Sequence, residues 1–367
     1  MPKRVLVIGG YGNFGSFITK ELAKNPAIQV IVAGRSQEKA TAFAGTLEAA
    51  NLAATAAVNV HENLAAQLKK LDPFIVIHTV GPFQGQSYKV AQACIEQGCH
   101  YIDLADGRDF VSGIGTLDTA ARAASISVVS GASSVPCLSS AVVDRYLPEF
   151  KQLASLNYGI STAQHTTRGL ATTAAVLSYA GKPFQTILNG RKQTINGWQG
   201  LRSYVFRTLG RRYLANCDIP DLALFPARYP TLKTIRFYAG LELSFMQFGL
   251  WGLSWLVRFR LIKNLSTWAG FLLKTSFLFD RIGGEESGFF MELKGQGVDE
   301  AGKTIVFELT AKSGHGPLIP CMPAILLAEK LVAGKSIPKG ALPCVGLLTL
   351  DEYLAALEPL DIAWTPI

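Results

Sequence analysis

The chain reads as an α/β protein: a doubly wound parallel sheet, followed by a second α+β domain built on a mostly antiparallel sheet. Three observations predict this. The first 135 residues alternate short β-rich runs with helical apolar periods, which is the rhythm of strands joined by crossover helices. A glycine run, Gly9-Gly10-Tyr11-Gly12-Asn13-Phe14-Gly15, directly follows the first strand and opens the first helix. After Pro136 the rhythm breaks, and later strand runs include a pair joined by a hairpin turn.

In order, the strand runs fall at 5–8, 29–33, 55–58, 74–79, 100–103 and 126–130, with helical periods at 14–24, 37–50, 62–71, 87–97 and 110–124. Helices of about ten residues between strands return the chain to the same end of a sheet, so the strands run parallel. Past Pro136, residues 137–147 read as a helix, 153–162 as a strand, and 169–179 as a helix with Thr166 or Thr167 as its cap. Strands are expected at 234–243, 288–295 and 304–311, the last two joined by Asp299-Glu300-Ala301-Gly302. Residues 323–332 read as a helix. The expected division is a dinucleotide-binding domain over 1–135, a substrate or dimerisation domain over 136–316, and a C-terminal helix and tail, 317–367, returning to the first domain.

With 49% hydrophobic and 17% charged residues the chain is not disordered, and its length buries a core without staples. The six cysteines form no Cys-x-x-Cys pair and no zinc-type cluster, so no metal site is expected. The start, Met1-Pro2-Lys3-Arg4 and then a short apolar run ending in glycines, is unlike a signal peptide. A cytoplasmic protein is the expectation, with contact at the periphery of a membrane as a variant.

The net charge of +8 is unevenly placed: between Asn189 and Lys263 twelve Lys and Arg face three acids, so that segment carries +9 and the remainder −1. It overlaps an apolar stretch, 241–279, whose longest charge-free window, 243–257, is 15 residues. That is short of the roughly 18–20 needed to cross a bilayer. Three readings remain for it: a buried core helix pair, a subunit interface within a homodimer, or a helix lying in a membrane surface. Nucleic-acid binding is not expected, because the aromatics sit in apolar runs and are not interleaved with the cations.

The glycine run suits a pyrophosphate. Gly9 permits a tight turn, Gly12 lets backbone approach the ligand, Gly15 lets the helix pack on the strand, and Gly10 offers an alternative flexible point. Asn13 and Phe14 then supply N–H groups at the helix N-terminus. The second strand ends in Gly34-Arg35-Ser36, with Lys39 a turn later. An acid at this point would hydrogen-bond a free ribose 2′-hydroxyl, whereas a guanidinium pairs with a 2′-phosphate. The expected cofactor is therefore NADP, with NAD second. Asn59, after the third strand, reads either as an adenine contact or as a turn former. The fourth strand leads into Val80-Gly81-Pro82, at the switch point where the nicotinamide half would lie.

Hydride transfer asks the protein to orient the nicotinamide and to handle one proton. Tyr101 and Asp103, at the carboxyl end of the fifth strand, and His165 in the second domain are the candidate catalytic groups; Asp106, Arg168 and His315 are weaker candidates, while His61 and His78 read as structural. No Gly-x-Ser-x-Gly elbow is present, and no Gly-Lys-Ser/Thr follows the glycine run as a phosphate loop would require.

In order, the blocks Gly9 to Gly15, Val32-Ala33-Gly34-Arg35-Ser36 with Lys39-Ala40, His78-Thr79-Val80-Gly81-Pro82-Phe83, Ala93-Cys94, His100-Tyr101-Ile102-Asp103-Leu104 and Gly131-Ala132-Ser133-Ser134-Val135-Pro136 make the first 140 residues resemble the saccharopine dehydrogenase-like oxidoreductases in their NADP-binding domain. The resemblance implies a Rossmann domain plus an α+β domain, a pyridine nucleotide, and chemistry in a cleft between them. It carries cofactor-binding roles to Gly9, Gly12, Gly15, Arg35, Ser36, Gly81 and Pro82. It does not carry over saccharopine, because the second domain is rich in Phe, Trp and Leu where a dicarboxylic conjugate needs cations. The expected function is NADP(H)-dependent hydride transfer on an apolar or lipid-like carbonyl, imine or enoyl substrate. The alternatives are a sensor or scaffold that binds NADP(H) without turnover, and a true amino-acid reductase.

Overall fold

The computed structural model describes residues 1–366, and the chain divides into two compact units. One comprises Met1–Leu138 with Leu318–Leu348; the other comprises Ser139–Pro317 with the residues from Thr349 onward.

The first unit begins with β1 (Lys3–Ile8), α1 (Asn13–Ala23), β2 (Ile28–Gly34), α2 (Gln37–Ala44), β3 (Ala54–Ala57), α3 (Leu64–Leu71), β4 (Ile75–His78), α4 (Lys89–Gln97) and β5 (His100–Asp103). Helix α1 shows why these segments fold as they do. Gly15, Ile18, Thr19, Leu22 and Ala23 are buried, a helical stripe laid against the sheet, while its other face stays wet. The strands are buried on both faces, as β4 and β5 are throughout, because helices cover both sides of a parallel sheet. The single helix expected over 110–124 is instead α5 (Arg108–Gly113), a 3-10 turn at Ile114–Leu117 and α6 (Asp118–Ala123). Gly113 and Gly115 interrupt it, since glycine is a poor helix-interior residue. Helix α2 likewise stops at Ala44 before Gly45. Strand β6 (Ser127–Ser130) follows.

The second unit carries α7 (Ser139–Tyr146), β7 (Phe150–Thr162), α8 (Leu170–Tyr179), the hairpin β8 (Pro183–Leu188) and β9 (Arg191–Asn196), β10 (Arg202–Phe206), β11 (Gly210–Asn216), α9 (Asp221–Arg228), β12 (Thr234–Leu241), α10 (Ser244–Arg258), α11 (Ala269–Phe277), β13 (Ser287–Gly297) and β14 (Gly302–Ala311). Helix α8 is capped by Gly169 with no side-chain bond, so neither Thr166 nor Thr167 caps it. Thr166 Oγ1 donates to the Ala163 carbonyl instead.

The last stretch of chain is shared. Helix α12 (Met322–Val332) and β15 (Gly340–Pro343) belong with the first unit, whereas α13 (Leu350–Leu357) and β16 (Ile362–Pro366) belong with the second. The tail thus does not return to the first domain as one piece: β15 pairs parallel with β6, and β16 pairs antiparallel with β14.

The first sheet has the order β15-β6-β5-β4-β1-β2-β3, with every pairing parallel. The second has the order β10-β11-β12-β7-β13-β14-β16, antiparallel except where β12 runs parallel to β7. In the first sheet the connections from β1 leave in opposite directions, so a crevice opens at the carboxyl ends of β1 and β4.

Candidate nucleotide site

The crevice is floored by the glycine loop. Gly9 sits at φ +85°, a left-handed backbone that other residues adopt only with strain. Its N–H donates to the Ala33 carbonyl at 2.8 Å, and its carbonyl accepts from Gly12 N–H at 2.8 Å, closing the turn. A Cβ on Gly15 would lie 2.1 Å from the Gly9 carbonyl oxygen, and one on Gly9 would lie 2.5 Å from Thr79 Oγ1. Both glycines are therefore demanded by the protein's own packing. At Gly12 the nearest atom to such a Cβ is at 3.1 Å, and Gly12 and Asn13 face outward. Helix α1 starts there with no side chain capping it, which leaves its first N–H groups to a ligand or to water. The loop thus fits a diphosphate.

Tyr11 joins this loop to the end of β2. Its hydroxyl accepts the Ser36 backbone N–H at 3.1 Å, and its ring lies so close to Gly34 that a Cβ there would be 2.5 Å away. Ser36 caps α2, its Oγ accepting from Lys39 N–H at 3.2 Å. Arg35 and Lys39 are exposed. Arg35 lines a cavity of about 570 Å³ together with Val58, Asn59, Glu62 and Ala66 among others. The Asn59 side chain is already engaged: it donates to Glu62 Oε1 at 2.7 Å and accepts from His61 N–H at 3.1 Å. These bonds make it a turn former.

On the far side of the crevice, Thr79 Oγ1 donates to the Ile8 carbonyl at 2.9 Å. The loop beyond it, with a cis Gly81-Pro82 bond, is tied back by Gln86 Nε2, which donates to the Val80 and Pro82 carbonyls at 3.0 and 2.7 Å. A Cβ on Gly81 would meet only Phe83, at 3.6 Å, so protein packing does not require glycine there.

The candidate acids and bases are placed differently from the sequence expectation. Tyr101 is 1% exposed and Asp103 0%, so neither side chain reaches a surface from which to serve a substrate. Tyr101 hydroxyl pairs with His78 Nδ1 at 3.1 Å, and burial, with Asp103 nearby, drives its pKa well up. Asp103 Oδ1 accepts from Ala105 N–H at 2.9 Å, Ser130 Oγ at 3.0 Å and Gly131 N–H at 2.8 Å. These bonds tie β5 to the end of β6. Burial still raises the Asp103 carboxyl to about 6, against the pull of those donors. His78 is pushed down to about 4 by burial and is neutral at physiological pH.

In the second unit, His165 Nε2 bonds the Asp280 carbonyl. Arg168 pairs with Asp280 and donates to Ser276 Oγ at 2.9 Å, its guanidinium 4.5 Å from the centre of the Phe277 ring. His165 and Arg168 therefore pin their loop to the end of α11, a structural duty. His315 Nδ1 accepts from Asp361 N–H at 2.9 Å, holding the chain ahead of β16.

Residues 5–171 match the family described as saccharopine dehydrogenase NADP binding domain. The whole chain superposes on all of the apo histidine-tagged saccharopine dehydrogenase (L-Glu forming) from Saccharomyces cerevisiae, with a TM-score of 0.69 at 13% identity. Residues 5–171 belong to the saccharopine dehydrogenase NADP-binding domain family. An amine dehydrogenase from Mycobacterium smegmatis aligns over 96% of each chain at 10% identity and a TM-score of 0.49. The chain has no match among curated protein sequences.

Through that domain the chain is assigned as an NAD(P)-dependent oxidoreductase whose cofactor class is NADP. Several residues of the nucleotide site escape a reading of motifs. Tyr11 is one, and its signal was an aromatic inside a glycine run that must meet a glycine on the next strand. Gln84 and Gln86 are others: amides flanking Gly85 just after the switch strand. Gln84 Nε2 donates to Asp106 Oδ1 at 3.1 Å, and burial raises the Asp106 pKa against that bond. Asp106 is half-buried and stands one loop beyond the fully buried Asp103.

Proposed function

We propose that the chain binds NADP(H) with the 2′-phosphate on Arg35, and exchanges a hydride between the nicotinamide and an apolar or lipid-like carbonyl, imine or enoyl substrate. The observation that carries the cofactor choice is Arg35: a solvent-facing guanidinium at the end of β2, where an NAD-selective site would offer an acid. Support for an apolar substrate comes from the many large apolar side chains that the second unit leaves exposed. The bound nicotinamide would supply the hydride to an electrophilic carbon, which leaves the protein one proton to deliver to the neighbouring heteroatom or carbon. Asp106, with its raised pKa beside Gln84, is the group suited to manage that proton.

Titration of both cofactors tests the first half: the reading requires tighter NADP(H) binding than NAD(H). NADPH oxidation on incubation with lipid extracts tests the second. The rival reading, binding without turnover, is favoured by the burial of Tyr101 and Asp103 and the structural engagement of His165. Tight NADPH binding with no oxidation over a panel of carbonyl, imine and enoyl compounds would establish that rival instead.

A further inference from the structure

Helices α10 and α11 do not bury their most apolar faces. Helix α10 turns Gln247, Leu250, Ser254 and Val257 inward, while Phe245 and Phe248 remain exposed. Helix α11 buries Ala269 and Ser276 and leaves Phe271 64% exposed, with Leu278 beyond its end at 75%. The loop joining the two helices has the same character: Phe259 is 66% and Leu261 72% exposed, and Arg260 and Lys263 alternate with them on the surface. Phe245 and Phe279 meet edge to face at 4.9 Å, so the start of α10 and the end of α11 contribute to one surface. Of the three readings of this stretch, the buried core helix pair does not fit these exposures.

The geometry points to an anionic lipid bilayer as the occupant of this surface, with the 259–263 loop and the outer stripe of α11 lying in the headgroup layer. Charge decides between a membrane and a second copy of the chain. From Leu243 to Arg281 there are five cations, Arg258, Arg260, Lys263, Lys274 and Arg281, and one acid, Asp280. That acid is spent on Arg168. A two-fold dimer through this face would set the same positive patch against itself, whereas anionic headgroups neutralise it while the aromatic and leucine side chains sink below them. Crossing the bilayer is not involved: among the described residues no helix is long and apolar enough, and α10 has 15 residues.

The test needs neither cofactor nor substrate, so its outcome is separate from that of the enzymatic reading. The full chain is floated with phosphatidylcholine vesicles with and without about one-third phosphatidylglycerol. The expected result is co-flotation with the anionic vesicles at least about tenfold above the neutral ones, lost at high salt. Arg260→Glu with Lys263→Glu should abolish the anionic preference, and Phe259→Ser with Leu261→Ser should weaken flotation while thermal melting is unchanged, since all four side chains are exposed. Absence of flotation, or equal flotation with both vesicles, overturns the proposal. So does a soluble dimer that Phe271→Ser with Leu278→Ser converts to monomer.

Discussion

The Tyr11 ring lies against Gly34, so close that a Cβ on Gly34 would stand 2.5 Å from it, and its hydroxyl holds the Ser36 N–H at 3.1 Å. Tyr11 belongs to the phosphate loop and Gly34 to the strand end that leads into Arg35, so this contact fixes the two halves of the cofactor site in one register. Gly34→Ala should push the ring away and weaken NADP(H) binding by roughly tenfold, about 1.4 kcal/mol. Because the clash needs both partners, the double variant Tyr11→Ala with Gly34→Ala should bind no worse than Tyr11→Ala alone. Fluorescence titration of NADPH measures all three, and simple additivity would show that the two residues act separately.

Arg35→Ala should cost NADP(H) affinity by roughly tenfold to a hundredfold, the weight of a charge-assisted pair with phosphate, and leave NAD(H) nearly unchanged. Glu62 is the one acid among the residues lining the same cavity, and Glu62→Gln should move NADP(H) affinity upward. Parallel titrations of both cofactors read the effect. An equal loss for NADP(H) and NAD(H) in the Arg35 variant would mean that the guanidinium grips something other than the 2′-phosphate.

The glycines separate by what a methyl group would strike. Gly15→Ala drives a Cβ to 2.1 Å from the Gly9 carbonyl, and the backbone on both sides has little room to give, so a loss of roughly 2–4 kcal/mol in stability is expected. Gly81→Ala meets nothing nearer than 3.6 Å. It should melt like the parent yet bind cofactor more weakly, if backbone approach to the nicotinamide half is what the position serves. Thermal melts beside NADPH titrations distinguish the two; a Gly81→Ala protein with unaltered affinity removes that loop from the site.

The first unit was legible in the sequence because a sheet covered on both faces needs strands that are apolar throughout, and the runs at β1, β2 and β4 stand out against amphipathic helices. Strand β15 did not stand out, being four residues that end in proline at the sheet's edge. In the second unit, β9 is exposed over its first four residues and therefore shows no alternation of buried and exposed positions. The usable signal there was Asn189-Gly190, whose φ values of +51° and +76° are those of a tight hairpin turn. The site divides in the same way. The glycine loop announces itself because backbone sterics restrict it to glycine, whereas Tyr101 and Asp103 misled because position at a strand's carboxyl end does not say whether a side chain points into the crevice or into the core. Residue type gave the polar groups; only packing separates Asp103 from Asp106.

The buried ionisable groups of the first unit oppose one another in pH dependence. Burial lifts Asp103 to about 6, whereas an unfolded Asp titrates near 3.9. Between about pH 4 and 6 the folded chain keeps a proton that the unfolded chain has lost, so this residue's contribution is present at low pH and fades as pH rises through 6. Burial lowers His78 to about 4, and burial with Lys339 nearby lowers His100 to about 4. For each, the unfolded chain holds the extra proton up to about pH 6.5, so stability grows as pH rises. The two histidines lift stability as pH rises from about 4 to 6.5, while Asp103, and Asp106 raised by burial in the same sense, oppose them. Asp103→Asn removes one opposing group: urea unfolding should show a slope steeper than the parent's by up to about one proton, with stability at pH 7.5 equal to the parent or higher by up to roughly 3 kcal/mol. Asp103→Ala, which strands the Ala105, Ser130 and Gly131 donors, should instead destabilise at every pH. Equal slopes in the parent and the Asn variant would mean that Asp103 is ionised in the folded chain well below pH 6.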